Sequence, residues 1–533
     1  MSHHSLLAAC VVAALLSFVL SSPVCAEPIE ADLVLAGGTI VDGTGIPGYV
    51  GSVAVRDGVI VAVGQFETQG APKTIDCAGK LICPGFIDLH NHSDRAVLKD
   101  ATRRGDCYLT QGCTTMVTGN CGSGPVDTGK YYDQLDADGV GVNIAHLLPQ
   151  GSLRSQVVGN ARRPATDEEL AEMQRLAAQA MRDGVWGMST GLIYVPSSYA
   201  DTDELVAIAS VVGQHGGIYA SHMRNESNHL LESVQEVIEI GKRAHLPVHI
   251  SHFKASKRKN WGTLRLAADL VQQAQSQGLT ITADQYPYIA SSTSIMAMLI
   301  PDEEREGGNA ATAKRMQDPK EAERLRPAVA KALGERDRIL ISSSKKHPDW
   351  VGKFIREVAA DEEREPIDVA MEILLDSGAQ GVNFAMTETD VRYAMKLPWV
   401  ATASDGSSKV DNGTRPHPRS YGTFPRKIGR YAHREGEISV EHAVRSSSGL
   451  PADILGMEDR GYLREGLAAD IVVLDLDTLL DNATFDKPFE TSSGVEWVFL
   501  SGNAAIADGD LQTELHGKPL RHKSTESQAA AAP

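Results

Sequence analysis

The stretch LICPGFIDLHNHSD, residues 81–94, decides how this chain is to be read. An apolar run (Leu81, Ile82, Phe86, Ile87, Leu89) breaks into polar residues at Asp88, His90 and His92. In extended backbone, residues two apart point to the same side. His90 and His92 can therefore aim two imidazoles at one point at the end of a buried strand. Neutral imidazole is a common ligand for zinc and similar ions. A lone His-x-His is more often a pair of surface histidines in a loop, so the rest of the chain has to decide.

On the N-terminal side, residues 31–66 read as short β-branched strands between Gly-rich turns (ADLVLAGGTIVDG, GSVAVRDGVIVAVG). Residues 460–507 have the same texture. Two β-rich ends can close one small β-sandwich, because chain termini often lie close together. The segment between them alternates strand-like runs (TTMVTG, VNIAHLL, VWGMSTG, GGIYASH, LPVHISH, LTITADQY, WVATASD) with amphipathic helical patterns. With the His90 strand there are eight such runs, and eight βα units predict an α/β fold built on a (β/α)₈ TIM-like barrel. The expected organisation is a β-sandwich from 27–83 and 458–525, and a barrel over 84–457. A charged, helix-prone insertion at about 302–338 follows strand seven, and 526–533 is expected to be a disordered tail.

The 533 residues, 42% hydrophobic and 23% charged, are those of an ordinary globular protein. A net charge of −18 argues against nucleic acid and anionic membrane as partners, since both require clustered Lys and Arg. Residues 5–20 form the one long apolar run, and Val24 and Ala26 sit at −3 and −1 of a cleavage site. Despite an n-region without Lys or Arg, this predicts a signal peptide over 1–26. The mature chain is then secreted or periplasmic, with no stable membrane insertion. It keeps Cys77, Cys83, Cys107, Cys113 and Cys121, an odd set in which at least one has no intramolecular disulfide.

Barrel chemistry sits at the C-terminal ends of the strands. There the sequence offers His90 and His92, then Cys121, His222, His252 and Asp405. Singly, such a Cys is usually buried filler, such a His a core residue, and such an Asp a helix cap. Their common position at one end of one barrel is the signal. Four imidazoles and a thiolate can hold one or two divalent ions with a position open for water. A bound ion lowers the pKa of its water toward about 7, and Asp405 is the group to move the proton.

These residues lie in motifs that resemble the D-aminoacylase (N-acyl-D-amino-acid deacylase) family of the amidohydrolase superfamily. They are PGFIDLHNHSD (84–94), QGCTTMVTGNCG (111–122), GVWGMSTGLIYVP (184–196), YASHMRNE (219–226), ISHFKAS (250–256), DQYPYIASST (284–293), ASDG (403–406), RPHPRSYGTFPR (415–426) and DRGYLREGLAADIVVLD (459–475). The likeness covers nearly the whole mature chain, and GNCG, with cysteine in place of the usual barrel lysine, is its most specific mark. It implies a tight Zn2+ on Cys121, His222 and His252, and a weaker second position near His90 and His92 that shares Cys121. It implies Asp405 as acid/base and Tyr194 as an electrophile near the acyl carbonyl. It also implies Lys254, Tyr286, Ser292 and Arg419 around the carboxylate of a small N-acyl-D-amino acid, a group that Arg grips bidentately. The chain departs from the pattern at Pro149 and Gln150, where relatives carry Gly-His, and in a longer 406–418 loop. Alternatives are a D-peptidase, a cyclic-amide hydrolase of the hydantoinase or dihydroorotase kind, and an inactive metal-binding scaffold. Cyclic-amide hydrolases usually carry a carboxylated lysine where Cys121 stands, and a scaffold has no use for Asp405.

Overall fold

The computed structural model describes residues 28–336 and 338–523. The expected signal peptide and disordered tail lie outside these residues. Within them, the Leu81–Asp94 stretch serves two sheets. Leu81–Pro84 pairs with Leu33–Ile40 and with Ile471–Leu474, whereas Phe86–Asp88 pairs in parallel with Cys113–Thr118. The chain changes sheet at Gly85, where a Cβ would collide with the Thr114 side chain, so no other residue fits the crossing.

Both chain ends contribute to one nine-stranded sheet, with Leu33–Ile40, Tyr49–Arg56 and Val59–Gly64 from the N-terminal side. Ile471–Leu474, Val495–Leu500, Asn503–Ala507 and Asp510–Leu511 come from the C-terminal side. The sequence suggests a two-layer sandwich here; the hydrogen bonding is that of a single continuous sheet. One core nevertheless joins its two halves: Leu35, Val53, Ile82, Ile471 and Phe499 share a buried cluster. After the last of these strands the chain leaves the sheet. Leu520 donates its N–H to Ile144 O, and its own carbonyl accepts from Trp186 Nε1.

All eight strand runs expected in the middle segment are present, and every pair among them is parallel. Phe86–Asp88, Cys113–Thr118 and Asn143–His146 form a three-stranded sheet. Leu148–Pro149 continues the last of these into a second sheet with Gly187–Gly191, Ile218–His222, Val248–Ile250, Ile281–Gln285 and Val400–Thr402. The two sheets also meet at their other margin, where Asp405 N–H donates to His90 O (2.8 Å) and His92 N–H to Gly406 O (2.7 Å). Helices cover the outside because each carries one apolar stripe. Asp167–Arg182 starts with a Thr166/Glu169 capping box and buries Met173, Ala177, Ala180 and Met181. Leu230–Ala244 buries Leu230, Val234, Val237 and Ile240 on the same core.

The insertion after strand seven is larger than 302–338. It includes an antiparallel sheet of Ser291–Ser294, Gln380–Asn383 and Ile339–Ser343, and its own core around Ile295, Leu325, Val329, Ile341 and Ile373. The helix Pro319–Gly334 is legible as an amphipathic repeat. SSTS and QGVN are not legible as strands, because neither carries the apolar alternation that marks one.

Candidate metal centre and active site

The site lies just past the ends of the parallel strands. His222 is the last residue of its strand, and the other residues follow theirs on short irregular segments. Three of these, Cys121 (φ 51°), His252 (φ 39°) and Asp405 (φ 50°), hold the left-handed backbone that side chains avoid. Such strain collects at functional sites. The turn before Cys121 is built for close approach: a Cβ on Gly119 would collide with Leu147 O. Asp94, a buried carboxylate, accepts the Gly119 N–H.

Cys121 Sγ lies 3.2 Å from His90 Nε2, 3.5 Å from His222 Nδ1 and 3.8 Å from His252 Nε2. With Zn–S near 2.3 Å and Zn–N near 2.0–2.1 Å, tetrahedral ligands stand about 3.5 Å apart for an S,N pair and about 3.3 Å for an N,N pair. The thiolate spacings match. The two imidazole nitrogens are 2.7 Å apart and would have to open slightly. Burial favours the neutral thiol of Cys121, but the neighbouring His90 and His222 outweigh it and pull its pKa well below the ordinary thiol value. The donor set therefore fits a thiophilic divalent ion such as zinc.

A second group, His90, His92 and Asp405, also has its ligand atoms within reach of one ion. His92 Nε2 is 3.0 Å from Asp405 Oδ1, and His90 Nε2 is 3.6 Å from the same oxygen. Burial disfavours the His92 cation, yet the Asp405 and Cys121 anions raise its pKa to about 9. Burial pushes the Asp405 carboxyl up, but Arg419, His90 and His92 hold it well below the usual carboxylate range. Arg419 Nη1 is 2.8 Å from Asp405 Oδ2 but is not aligned to donate to it.

An open cavity of about 2340 Å³ is lined by Cys121, Tyr194, His222, His252, Lys254, Tyr286, Ser292, Asp405 and Arg419 among others. Tyr194 OH is 2.9 Å from Thr293 Oγ1, and its ring packs against His222. Arg419 opens a buried helix, stacks over the Tyr286 ring (4.7 Å) and donates Nη2 to Ser292 O (3.3 Å). Ser292 thus meets Arg419 through its carbonyl, not its hydroxyl. Tyr286 OH and Arg419 Nη1 are buried donors without a hydrogen-bond partner among the described residues. Lys254 differs: its ammonium already reaches Glu226 Oε1 (2.6 Å), His252 Nδ1 (2.7 Å) and His252 O (3.1 Å). All eleven residues singled out in the sequence come to this one end of the molecule.

The unusual Gln150 is buried. It opens the helix Gln150–Val157, accepts from Ser197 Oγ (2.5 Å) and donates to Glu204 (3.3 Å), tying that helix to the segment that carries Tyr194. Gly151 and Ser152 beside it line the cavity.

Three carboxylates behind the site escaped the sequence reading. Asp284 faces His90 Nδ1 (3.2 Å) and His249 Nε2 (2.9 Å), and accepts from His252 N–H (2.7 Å). It stands at a strand end, as Asp405 does, so the same rule could have selected it. Asp88, inside the opening stretch, accepts from Ser404 N–H (2.8 Å), Ser404 Oγ (2.5 Å) and Asn91 Nδ2 (2.8 Å). Burial pushes its pKa up to about 6 against those bonds. It thereby pins the residue before Asp405. Glu226, four residues after His222, lies 2.7 Å from His252 Nδ1. The Cys77, Cys83, Cys107, Cys113 and Cys121 thiols are all free and buried.

Parallel strands ending in a thiolate, four imidazoles and a carboxylate define the class of a metal-dependent hydrolase. The sequence profile of the amidohydrolase family matches residues 73–504, most of the chain, and the chain belongs to that family. It is 34% identical over 496 residues to the D-aminoacylase of Alcaligenes xylosoxydans xylosoxydans, covering 88% of this chain and 93% of that protein. A solved D-aminoacylase, studied for a binuclear metal centre with one-metal activation and second-metal attenuation, superposes with a TM-score of 0.79. It is 32% identical, over 92% of this chain and 100% of that one. N-acyl-D-glutamate deacylase from Bordetella bronchiseptica, solved with zinc and a phosphonate inhibitor mimicking the tetrahedral intermediate, also gives 0.79. It is 31% identical over the same shares.

Proposed function

We propose that this protein hydrolyses the amide bond of N-acyl-D-amino acids, releasing a carboxylate and a free D-amino acid. The observation that carries the reading is the coincidence, in one cavity, of the Cys121/His222/His252 ligand set with Tyr286 OH, a buried donor without a hydrogen-bond partner among the described residues, and the Arg419 guanidinium, which neighbours Asp405 without hydrogen-bonding to it. Cys121, His222 and His252 would hold one tight zinc, and His90, His92 and Cys121 would form a weaker second position. The ion, when bound, lowers the pKa of water toward about 7 and polarises the scissile carbonyl.

The chain's own residues supply the rest. Arg419 and Tyr286 take the substrate carboxylate, with Ser292 at the wall and Lys254 adding positive charge from its place beside the Tyr286 ring (5.9 Å). Tyr194 OH turns from Thr293 to donate to the carbonyl oxygen as negative charge develops there. Asp405 accepts the proton of the attacking water and delivers it to the departing nitrogen, because an amine leaves poorly unless protonated.

The same reading extends to architecture. The two parallel sheets are read as one (β/α)₈ barrel closed between Asp405 and His90. The nine-stranded sheet, curled around its shared core, is read as the small sandwich formed from 27–83 and 458–525. The apolar run at 5–20 directs the chain to export, so that the mature protein works outside the cytoplasm.

N-acetyl amino acids in both stereochemical forms, offered to purified zinc-loaded protein, test the activity. Turnover of D but not L forms is expected. Hydrolysis of cyclic amides in preference to any N-acyl-D-amino acid would overturn it.

A further inference from the structure

Glu226 has no role in the reaction proposed above, yet it sits at the centre of the site's polar contacts. It faces both imidazoles of the tight metal position from the side away from Cys121: Oε1 is 2.7 Å from His252 Nδ1, and Oε2 is 3.9 Å from His222 Nε2. Its third neighbour is Lys254 Nζ, at 2.6 Å. Lys254 Nζ also stands 2.7 Å from His252 Nδ1, so the carboxylate and the ammonium compete for one ring nitrogen.

The outcome of that competition decides which His252 nitrogen can bind a metal. A neutral imidazole has one N–H and one lone pair. If Lys254 donates to Nδ1, the proton must sit on Nε2, the nitrogen 3.8 Å from Cys121 Sγ, and that nitrogen can no longer be a ligand. If Glu226 accepts from Nδ1–H, the Nε2 lone pair is free. The Lys254 ammonium can do nothing but donate, and the Glu226 carboxylate, whose Oε1 already takes that ammonium at 2.6 Å, is the acceptor on this side. His222 has the complementary need. To present Nδ1 toward Cys121 it must carry its proton on Nε2, which is buried and has no hydrogen-bond partner among the described residues. Glu226 Oε2 is the carboxylate oxygen on that side.

We propose that Glu226 is a positioning residue for the metal: its carboxylate keeps the proton on His252 Nδ1 by a direct contact and, from 3.9 Å, favours one on His222 Nε2 by its charge, so that the nitrogens facing Cys121 keep their lone pairs for the ion. It acts through the two histidines and is not itself a ligand. An ion placed against Glu226 on this side would meet the Lys254 ammonium, which already occupies Oε1. This is the carboxylate–histidine–metal relation, with one carboxylate serving two rings and a lysine that would invert one of them. The inference rests on the proposed zinc position.

The test measures zinc affinity by competition with a chelator, not turnover, in four forms of the full chain: wild type, Glu226→Gln, Lys254→Met and the double variant. Glu226→Gln should bind zinc about 10–100-fold more weakly, the usual cost of losing such a partner. Lys254→Met should bind at least as tightly as wild type. The double variant should recover most of the loss, because without the ammonium nothing holds the proton on Nε2. A lesion in packing alone would not be repaired by removing a second side chain. Unchanged affinity in Glu226→Gln overturns the inference, and so does a double variant as weak as the single one, which would make Glu226 a ligand or a packing residue.

Should the Glu226 variants fail to fold, 15N NMR of the zinc-loaded wild type labelled at histidine decides, because without an ion His252 Nε2 and His222 Nδ1, 2.7 Å apart, must share a proton. A proton on His252 Nδ1 is expected, and a proton on Nε2 overturns the inference. A wild type that binds no zinc would instead remove the metal position on which both readings stand.

Discussion

The thiolate group, Cys121, His222 and His252, and the carboxylate group, His90, His92 and Asp405, meet where His90 Nε2 lies 3.2 Å from Cys121 Sγ, but they differ in access to water and in the charge beside them. In the thiolate group, Cys121, His222 and His252 are 7%, 5% and 2% exposed. The His222 and His252 rings are backed by a carboxylate, Glu226. In the carboxylate group the His92 side chain is 31% exposed, and Asp405 has the Arg419 guanidinium 2.8 Å away. A cation entering the first group meets a thiolate and two buried imidazoles. One entering the second must compete with Arg419 and with solvent. The difference teaches that these neighbouring sets are suited to different work: the first to hold an ion, the second to move a proton.

The largest expected effect breaks the comparison at its hinge. Cys121→Ala removes the only soft ligand of the first group, so tight zinc and turnover should disappear together. The activity loss should exceed the roughly 10⁴-fold upper range for an acid/base alone. Metal analysis and an amide-hydrolysis assay on one preparation check this, and full zinc with full turnover would refute it.

Asp405→Asn tests the second group. Zinc content and melting temperature should stay near wild type while the single-turnover rate falls at least about a hundredfold. A near-normal rate would make Asp405 a mere cap of the segment that follows it.

Arg419→Ala sharpens the division further. It should keep the tight zinc but lose about 2–5 kcal/mol in kcat/KM for carboxylate substrates, since the anion is left unpaired in a desolvated pocket. The N-acyl-D-amino acid and its carboxamide analogue, compared before and after substitution, give the check. Equal rates on both in wild type would remove the clamp.

The smallest effect concerns Asp88, behind Asp405. Its folded pKa, about 6, lies above the unfolded value near 4. Folding thus favours the protonated form. Its contribution is fully present below about pH 4, is lost as pH rises through about 6, and stays constant above that. The melting temperature of wild type relative to Asp88→Asn should fall between about pH 4 and 6.5 and then run parallel. A difference independent of pH would show that Asp88 is ionised throughout.

How much of this was legible in the sequence follows from how each residue is coupled to its neighbours. Cys121, His222, His252 and Asp405 could be found because strand ends are marked by local pattern: an apolar run stops and a polar residue follows. Asp284 obeys the same rule, but its role behind the imidazoles is set by His90 and His249, 194 and 35 residues away, and no local pattern shows it. QGVN pairs with SSTS on one side and with Ile339–Ser343 on the other, across long sequence gaps, so the strand character of SSTS and QGVN comes from their partners and not from their own composition.

What the sequence by itself determined is the kind of chemistry and the order of the elements. Side-chain type and hydrophobic period are local properties, and the Leu81–Asp94 stretch carries both within fourteen residues. The tertiary structure alone decided the connections that run through space. It made the two chain ends one sheet, spent the Lys254 donors on Glu226 and His252, set Arg419 Nη1 beside Asp405 and left Tyr286 OH without a hydrogen-bond partner among the described residues. It also set one carboxylate against two imidazoles. A hydrogen bond is fixed by distance and direction between atoms, and for residues far apart in the chain those are set only when the strands between them have packed.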